Sequence, residues 1–158
     1  MAIEIERKFL VDKRKMHDLS YLSEERIEQG YLSHSPTIRV RIKANRGFLT
    51  VKSSTKGLAR KEFEYEIPAR DAKELLRLCG WQVLKKIRRT IEYGGHIWEI
   101  DFFMGRHAGL VLAEVELKSA NEFVDLPEWI THEVSGEARY FNSNLVKIDW
   151  AHRPWKRG

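Results

Sequence analysis

Charged side chains of one sign recur two residues apart in several segments of the chain. The pairs are Glu4 and Glu6, Arg39 and Arg41, and Glu114 and Glu116. A solvated strand face normally mixes signs, because like charges at neighbouring positions repel. Residues two apart on a strand are separated by about 6.6 Å, so paired carboxylates can share a cation and paired basic groups can bind adjacent phosphoryl groups. The sorted charges therefore predict a joint site for a metal ion and a polyanion.

Eight segments alternate between charged and apolar residues, which predicts eight strands because successive side chains of a strand point to opposite faces. The predicted strands cover residues 3–9, 26–32, 37–43, 48–54, 61–67, 84–93, 96–103 and 111–118. Residues 44–47 and 94–95 separate consecutive strands by tight hairpins. Gln29 and Tyr31 break the alternation of the second strand and leave its orientation open.

Eight antiparallel strands can close into a barrel, which removes their exposed edges. If the charged faces point inwards, the first and last strands become neighbours and their four glutamates meet. Carboxylates this close raise one another's pKa unless divalent cations bind, and oxygen ligands favour Mg²⁺ or Mn²⁺. The basic side chains that can neutralise a triphosphate across the lumen are Lys8, Arg39, Arg41, Lys52 and Arg88. The predicted fold class is α+β, a closed eight-stranded antiparallel β-barrel with a charged lumen and helices packed outside.

Three further segments predict helices outside the barrel. Apolar residues share one face of a predicted helix over residues 70–79, which Gly80 ends. Additional helices are predicted over residues 12–25 and 137–148. Cys79, the only cysteine, falls on the apolar face of the first helix, so we expect a buried structural thiol. A single cysteine excludes an intrachain disulfide and a cysteine-ligated zinc site.

The composition narrows the class of protein. The 158 residues fit one domain, residues 1–158, with a basic tail from about residue 151 that is expected to be flexible. No apolar run approaches the length of a membrane span, and charge near the start replaces the apolar stretch of a signal peptide, so a cytoplasmic location is expected. A net charge of +5 favours anionic partners. The sequence lacks a P-loop motif and any serine–histidine or cysteine nucleophile constellation, which argues against both mechanisms.

The first charged segment resembles a known family signature. Residues 4–8, Glu-Ile-Glu-Arg-Lys, are similar to the Glu-x-Glu-x-Lys motif that opens CYTH domains, the triphosphate tunnel metalloenzymes. The similarity continues in order to about residue 146. It includes Gln-Gly-Tyr-Leu at 29–32, Arg-Val-Arg at 39–41, Leu-Thr-Val-Lys at 49–52, Glu-Phe-Glu-Tyr-Glu at 62–66, Lys-Ile-Arg at 86–88, Ile-Asp at 100–101, Glu-Val-Glu at 114–116, Glu-Val-Ser-Gly at 133–136 and Arg-Tyr-Phe-Asn at 139–142. One short motif would be weak evidence, whereas the ordered set is specific.

The resemblance implies roles for individual residues. The residues that match the family's metal ligands are Glu4, Glu6, Glu114 and Glu116. Those that match its phosphate-binding residues are Lys8, Arg39, Arg41, Lys52 and Arg88. The expected catalytic group consists of the supporting carboxylates Glu62, Glu64 and Asp101 together with Lys8 and Arg88.

Some positions stay open in this interpretation. The basic run at residues 85–89 allows Arg89 to replace Arg88 in the lumen. Arg60 and Lys118 share faces with site residues and are expected to be accessory or solvated. Arg139 and Tyr140 are expected to fasten the C-terminal segment to the barrel.

The implied activity is hydrolysis of a triphosphate with Mg²⁺ or Mn²⁺, as in small bacterial members of the family. A short chain with tight hairpins has no insertion to hold a base, which favours inorganic tripolyphosphate, cleaved to pyrophosphate and phosphate. Hydrolysis of thiamine or nucleoside triphosphates and a class IV-type adenylate cyclase activity are the alternatives. A different class is a non-catalytic polyphosphate- or RNA-binding module, which would carry a basic stripe with aromatic residues on its outside. The expected partner is a small-molecule triphosphate, without a membrane or nucleic acid, and a homo-oligomer is left open.

Overall fold

The computed structural model describes residues 3–147, which form nine β-strands and two short α-helices. The strands are β1 (Ile3–Val11), β2 (Ser23–His34), β3 (Thr37–Lys43), β4 (Arg46–Lys52), β5 (Ala59–Ile67), β6 (Val83–Tyr93), β7 (His96–Phe103), β8 (Val111–Glu116) and β9 (Ile130–Glu133). The helices are α1 (Ala69–Leu78) and α2 (Asn142–Leu145). Single 3₁₀ turns lie at Lys13–Lys15, Gly105–His107 and Ala138–Tyr140.

Antiparallel pairing closes eight of these strands into a barrel. The order is β5-β4-β3-β2-β6-β7-β8-β1, and β1 pairs in turn with β5. That closing seam is short and consists of three cross-strand pairs, Ile3 with Lys61, Glu4 with Arg60 and Ile5 with Ala59. The predicted closed eight-stranded barrel and the adjacency of its first and last strands are confirmed.

Two of the turns need backbone conformations that most residues avoid. Gly94 and Gly95 have φ values of 59° and 80° and join β6 to β7, as predicted. Ala44 and Asn45 also have positive φ, at 51° and 61°, and join β3 to β4 in a two-residue turn. Such turns match the right-handed twist of the strands they connect.

Apolar side chains cover the outside of the barrel, because alternation sends the charged ones inwards. The larger cluster packs Phe9 and Trp98 from the strands against Trp129 of the segment that follows β8. A second outer cluster packs α1 through Ala72 and Leu76 onto the strands. The covering is incomplete over β5, where Phe63 remains 41% exposed.

One end of the barrel interior is apolar rather than charged. Four strands carry charged residues along most of their interior face and an apolar residue near one end of it. These apolar residues are Leu10, Leu84, Phe103 and Leu112. These residues pack with Tyr140, Leu145 and Val146 of the C-terminal segment. That segment therefore fills one end of the barrel, and Tyr140 fastens it there, as expected.

The helix predictions were right only in part. The helix predicted over residues 70–79 is confirmed as α1, and Cys79 is buried at its end. The helix predicted over residues 12–25 is wrong, because β2 already begins at Ser23 and pairs with β6, and Asp18 has a positive φ of 64°.

The C-terminal prediction of a continuous helix over residues 137–148 is also wrong. Phe141 has an extended backbone, with φ −68° and ψ 132°, and separates the 3₁₀ turn from α2. The short strand β9 was not predicted; it pairs with the end of β1 beyond the closing seam. Residue 148 and the predicted tail from about residue 151 lie outside the described residues. Neither helix within residues 3–147 has the length and apolarity needed to cross a membrane.

The contact between α1 and β2 depends on Gly30. A Cβ placed on Gly30 would lie 2.7 Å from Sγ and 2.9 Å from Cβ of Cys79. We therefore expect Gly30→Ala to lower the free energy of unfolding by about 1–3 kcal/mol, the usual cost of overpacking. Urea unfolding measures this change. Gly136→Ala is the matched control, because an added Cβ there meets nothing within 4 Å, and equal losses in both variants would contradict the packing argument.

Candidate active site

The charged part of the barrel interior surrounds a cavity of about 190 Å³. Seven basic side chains line it, namely Lys8, Arg39, Arg41, Lys52, Arg60, Lys86 and Arg88. Six acidic side chains line it as well, namely Glu4, Glu6, Glu62, Glu99, Glu114 and Glu116. Ten of the twelve site residues predicted from the sequence therefore line one cavity; the other two, Glu64 and Asp101, are not among its lining residues.

The carboxylates of β1 and β8 are brought together by the strand register. Glu6 lies opposite Glu116, and Lys8 lies opposite Glu114. Lys8 Nζ is 3.2 Å from Glu114 Oε1, and Lys52 Nζ is 3.1 Å from Glu4 Oε2. Within residues 3–147, no three Asp, Glu, His or Cys side chains form a ready-made metal cluster. Two of the four glutamates, Glu4 and Glu114, are therefore paired with lysines, and all four line the same cavity.

The electrostatics of these carboxylates fit a cation nevertheless. Burial raises the pKa of Glu6 well above its ordinary value, and the carboxylates of Glu114 and Glu4 add to the rise. For Glu4 burial acts in the same direction, but Lys52 and a hydrogen bond with Glu6 hold the pKa below its ordinary value. The positive charge near Glu6 therefore does not offset its burial and its carboxylate neighbours, and a divalent cation bound by oxygen ligands would add positive charge there.

Two buried arginines of the cavity, Arg39 and Arg41, have the opposite need, for an anion. Arg41 is 8% exposed, and its Nε and Nη2 donate to a neutral acceptor, Gln29 Oε1, at 3.0 and 2.9 Å. Burial, then Arg39 and Arg88, lower the pKa of Arg41 to about 9. Arg39 Nε is buried without a hydrogen-bond partner within the described residues. An anion in the cavity would satisfy both arginines, since guanidinium groups bind phosphate oxygens well.

Arg88 differs because it is held in place. Its Nε and Nη2 donate to the two carboxylate oxygens of Asp101 at 2.7 and 2.9 Å, and Nη1 donates to Glu99 at 3.0 Å. Arg89 lies on the outer face, where it donates to Glu24 and stacks on Tyr21. Arg88 is therefore the residue of the basic run that lines the cavity.

The two predicted carboxylates that do not line the cavity contact basic side chains that do. Asp101 is 1% exposed, and Arg88 and Lys86 lower its pKa to about 2 although burial alone would raise it. Glu64 accepts from Thr50 at 3.0 Å and lies 3.5 Å from Arg39 Nη2. Both residues face inwards, as expected, but contact the basic side chains instead of the cavity.

The sequence interpretation missed several residues of the cavity. Lys86 Nζ lies 2.7 Å from Asp101 and donates to Asn142 at 2.8 Å; its position two residues before Arg88 was the signal that could have revealed it. Arg60, expected to be accessory, lines the wall. Tyr31 and residues 141–143 line it too, and only the tertiary fold could have placed them there. Lys118 and Arg139 are not among the lining residues.

An antiparallel barrel with sorted charges around a small interior cavity defines a class of proteins that bind highly charged small molecules inside the barrel. Residues 2–147 match the model of the CYTH domain, and the chain belongs to the CYTH family.

Known relatives agree with this assignment. The chain is 42% identical to an inorganic triphosphatase of Acetivibrio thermocellus, over 93% of this chain and 95% of that one. It is 34% identical to an inorganic triphosphatase of Nitrosomonas europaea, over 90% of this chain and 96% of that one. A crystal structure of an inorganic triphosphatase superposes with a TM-score of 0.67 at 31% identity, over 92% of this chain and 95% of that one.

The lowered pKa of Lys86 predicts that anion binding depends on pH. Burial, opposed by Asp101 and assisted by Arg88, lowers its pKa to about 7 from an ordinary 10.5. A bound polyanion favours the charged form, so above about pH 7 its binding should be accompanied by proton uptake at Lys86. We expect Lys86→Met to bind tripolyphosphate with less proton uptake than wild type near pH 8.5, by up to about one proton.

Isothermal titration calorimetry in buffers of different ionisation enthalpy measures this difference without metal, and the comparison cancels the ionisation of the anion itself. Lys85→Met is the control, because Lys85 is the exposed neighbour and does not line the cavity. Equal proton uptake by wild type and Lys86→Met would show that Lys86 does not titrate on binding.

Proposed function

We propose that the protein hydrolyses inorganic tripolyphosphate to pyrophosphate and phosphate with Mg²⁺ or Mn²⁺. The observation that carries the proposal is a single cavity of about 190 Å³ lined by seven basic and six acidic side chains. The relatives named inorganic triphosphatase support the same reaction.

The size and lining of the cavity favour an inorganic substrate over a nucleotide or a thiamine ester. Its volume is below the roughly 300–1,000 Å³ of typical organic-ligand pockets. Among the described lining residues only Tyr31 and Phe141 carry aromatic rings, so little surface is offered to a base. A nucleic-acid-binding module is disfavoured because the basic side chains lie inside the barrel. Product analysis with tripolyphosphate, ATP and thiamine triphosphate separates the proposal from the cyclase and other triphosphatase activities.

In this proposal the basic side chains bind the triphosphate and stabilise the charge that develops in the reaction. Lys8, Arg39, Arg41, Lys52 and Arg88 are the phosphate-binding residues. Arg88 needs no rearrangement, because Asp101 already holds it, and such preorganised charge is an effective form of electrostatic catalysis. Glu64 has the corresponding supporting role beside Arg39.

Glu4, Glu6, Glu114 and Glu116 are the proposed metal ligands. When bound, a divalent cation neutralises phosphate oxygens and makes water a stronger nucleophile. No nucleophilic side chain of the protein is needed: water attacks the terminal phosphorus, the bridging P–O bond breaks, and pyrophosphate leaves with the bonding electron pair. Glu62 is the proposed acceptor of the water proton, since burial raises its pKa and Glu4 adds to the rise, although Lys52 opposes it. We propose in addition a single domain and a cytoplasmic location, as expected from the sequence, and leave the oligomeric state open.

Metal removal provides the first test of the proposed function. We expect EDTA to abolish release of phosphate from tripolyphosphate, because Glu6 and its neighbours then lack the cation that offsets their charge. Addition of Mg²⁺ or Mn²⁺ in excess should restore the rate. Phosphate release at the full rate in EDTA would contradict the metal-dependent mechanism.

Acidic and basic site residues should lose activity in different ways. Glu116→Gln keeps the side-chain size and removes a charge, so its rate should recover in part with excess metal. Arg39→Ala removes a charged phosphate contact worth about 1.5–3 kcal/mol, and at the upper end kcat/KM should fall by roughly 100-fold. Excess metal should not restore it.

Metal titrations of the tripolyphosphatase rate distinguish the two variants, and melting temperatures establish that both are folded. Both variants are expected to keep their fold, since burial and the nearby Glu4 and Glu99 carboxylates already raise the pKa of Glu116 in the native protein. The same response of both variants to metal would contradict the division of the cavity into metal-binding and phosphate-binding residues.

A further inference from the structure

Arg60 occupies a distinctive place between the closing seam and the cavity. It forms a cross-strand pair with Glu4 in the three-pair seam of β1 and β5. Its Nε lies 3.5 Å from Glu4 Oε2, and its Nη2 lies 4.0 Å from Glu6 Oε1. Its side chain is 18% exposed and lines both the main cavity and a smaller one beside it. The guanidinium is therefore next to the two carboxylates of β1 that the proposed function assigns to the metal.

The contacts of Arg60 are longer than those that hold Arg88. The Arg60 guanidinium donates no hydrogen bond within residues 3–147, and only charge attraction holds it near Glu4 and Glu6. Arg88, in contrast, donates two hydrogen bonds to Asp101. The Arg60 side chain can therefore move at a low cost in free energy, whereas the Arg88 side chain is held by its hydrogen bonds to Asp101.

Arg60 and a divalent cation compete for the same oxygens. Two positive groups next to one pair of carboxylates repel each other, so the cation binds less tightly while the guanidinium stays there. A guanidinium that leaves the carboxylates requires another anion, and a triphosphate in the cavity provides one. Binding of the polyanion thus removes the competitor of the cation.

We infer that Arg60 is a positioning residue that couples cation binding to triphosphate binding, by neutralising Glu4 and Glu6 until the polyanion draws it away. The inference rests on the proposed function for the identity of the two ligands. Coupling of this kind is reciprocal: each ligand strengthens the binding of the other by the same factor.

The test compares wild type with Arg60→Gln, Arg60→Lys and Arg46→Gln. Arg46 is the matched control, because it forms an exposed ion pair with Glu66 and does not line the cavity. Without any polyphosphate, we expect Arg60→Gln to bind Mn²⁺ about tenfold more tightly than wild type, within the roughly 5- to 150-fold range of coupled sites. In EDTA, the same variant should bind tripolyphosphate more weakly. Calorimetry measures both affinities.

The opposite directions of the two changes distinguish this role from a structural one. Arg60→Lys keeps the charge and should bind Mn²⁺ like wild type, as should Arg46→Gln. Unchanged or weaker Mn²⁺ binding by folded Arg60→Gln would overturn the inference and leave the proposed function intact. Failure of both wild type and Arg60→Gln to bind Mn²⁺, with sulfate and without it, would overturn the inference and the metal-dependent function together.

A second measurement needs no variant at Arg60 and remains decisive if removal of its charge prevents folding. Sulfate is an anion that cannot be hydrolysed, and at saturation it should tighten Mn²⁺ binding by wild type. A Mn²⁺ affinity that does not change with sulfate would overturn the inference.

Discussion

Charge balance inside the barrel is the constraint on which the rest of the structure depends. A buried charge is costly unless it is paired and hydrogen-bonded, and the innermost pair meets this condition through the two bonds from Arg88 to Asp101. With Asp101 and Glu64 included, eight acidic side chains face seven basic ones, so the charges of the interior nearly balance in total. It is unbalanced locally, since burial and neighbouring carboxylates outweigh the positive charge near Glu6, and the Arg41 guanidinium donates to a neutral acceptor. A cation and a polyanion together supply the two missing partners.

The charged interior also determines how the protein builds its hydrophobic core. Because alternation sends apolar side chains outwards, the barrel cannot bury them in its own lumen, and other segments must cover them. Trp98 has no exposed surface because Trp129 and its neighbours pack over it, and Val40 is covered by α1 in the same way. The loop before β9 and the helix α1 therefore stabilise the site indirectly, by allowing the opposite strand face to carry charge.

The alternation was sufficient to predict the barrel from the sequence, because period-two patterns determine which residues share a strand face. It could not decide between Arg88 and Arg89, since both carry the same charge in an unbroken basic run. The cross-strand register decides this, because it places Arg88 opposite Asp101 on β7. It also could not orient β2, whose interior residue Gln29 is uncharged and accepts hydrogen bonds from Arg41.

The errors arose where tertiary contacts override local preference. Residues 12–25 have helical character in isolation, but the start of β2 finds its backbone partners in β6. The floor of the cavity comes from Phe141 to Ser143, more than a hundred residues after β1 in the chain, and no local pattern marks such a contact. Arg60 was undervalued for a related reason: its alternation matched the site, but only the seam pairing brings it next to Glu4.

The basic side chains of the cavity are buried more deeply than two of its carboxylates. Six of the basic side chains are at most 9% exposed, whereas the side chains of Glu62 and Glu99 are 25% and 43% exposed. These more exposed carboxylates repel a polyanion, and the repulsion falls when the polyanion carries a divalent cation. Hydrolysis divides the triphosphate into two anions that repel each other and the same carboxylates. The arrangement that favours entry of a metal-bound substrate thus also favours departure of the products, so stronger binding by the basic side chains need not trap them.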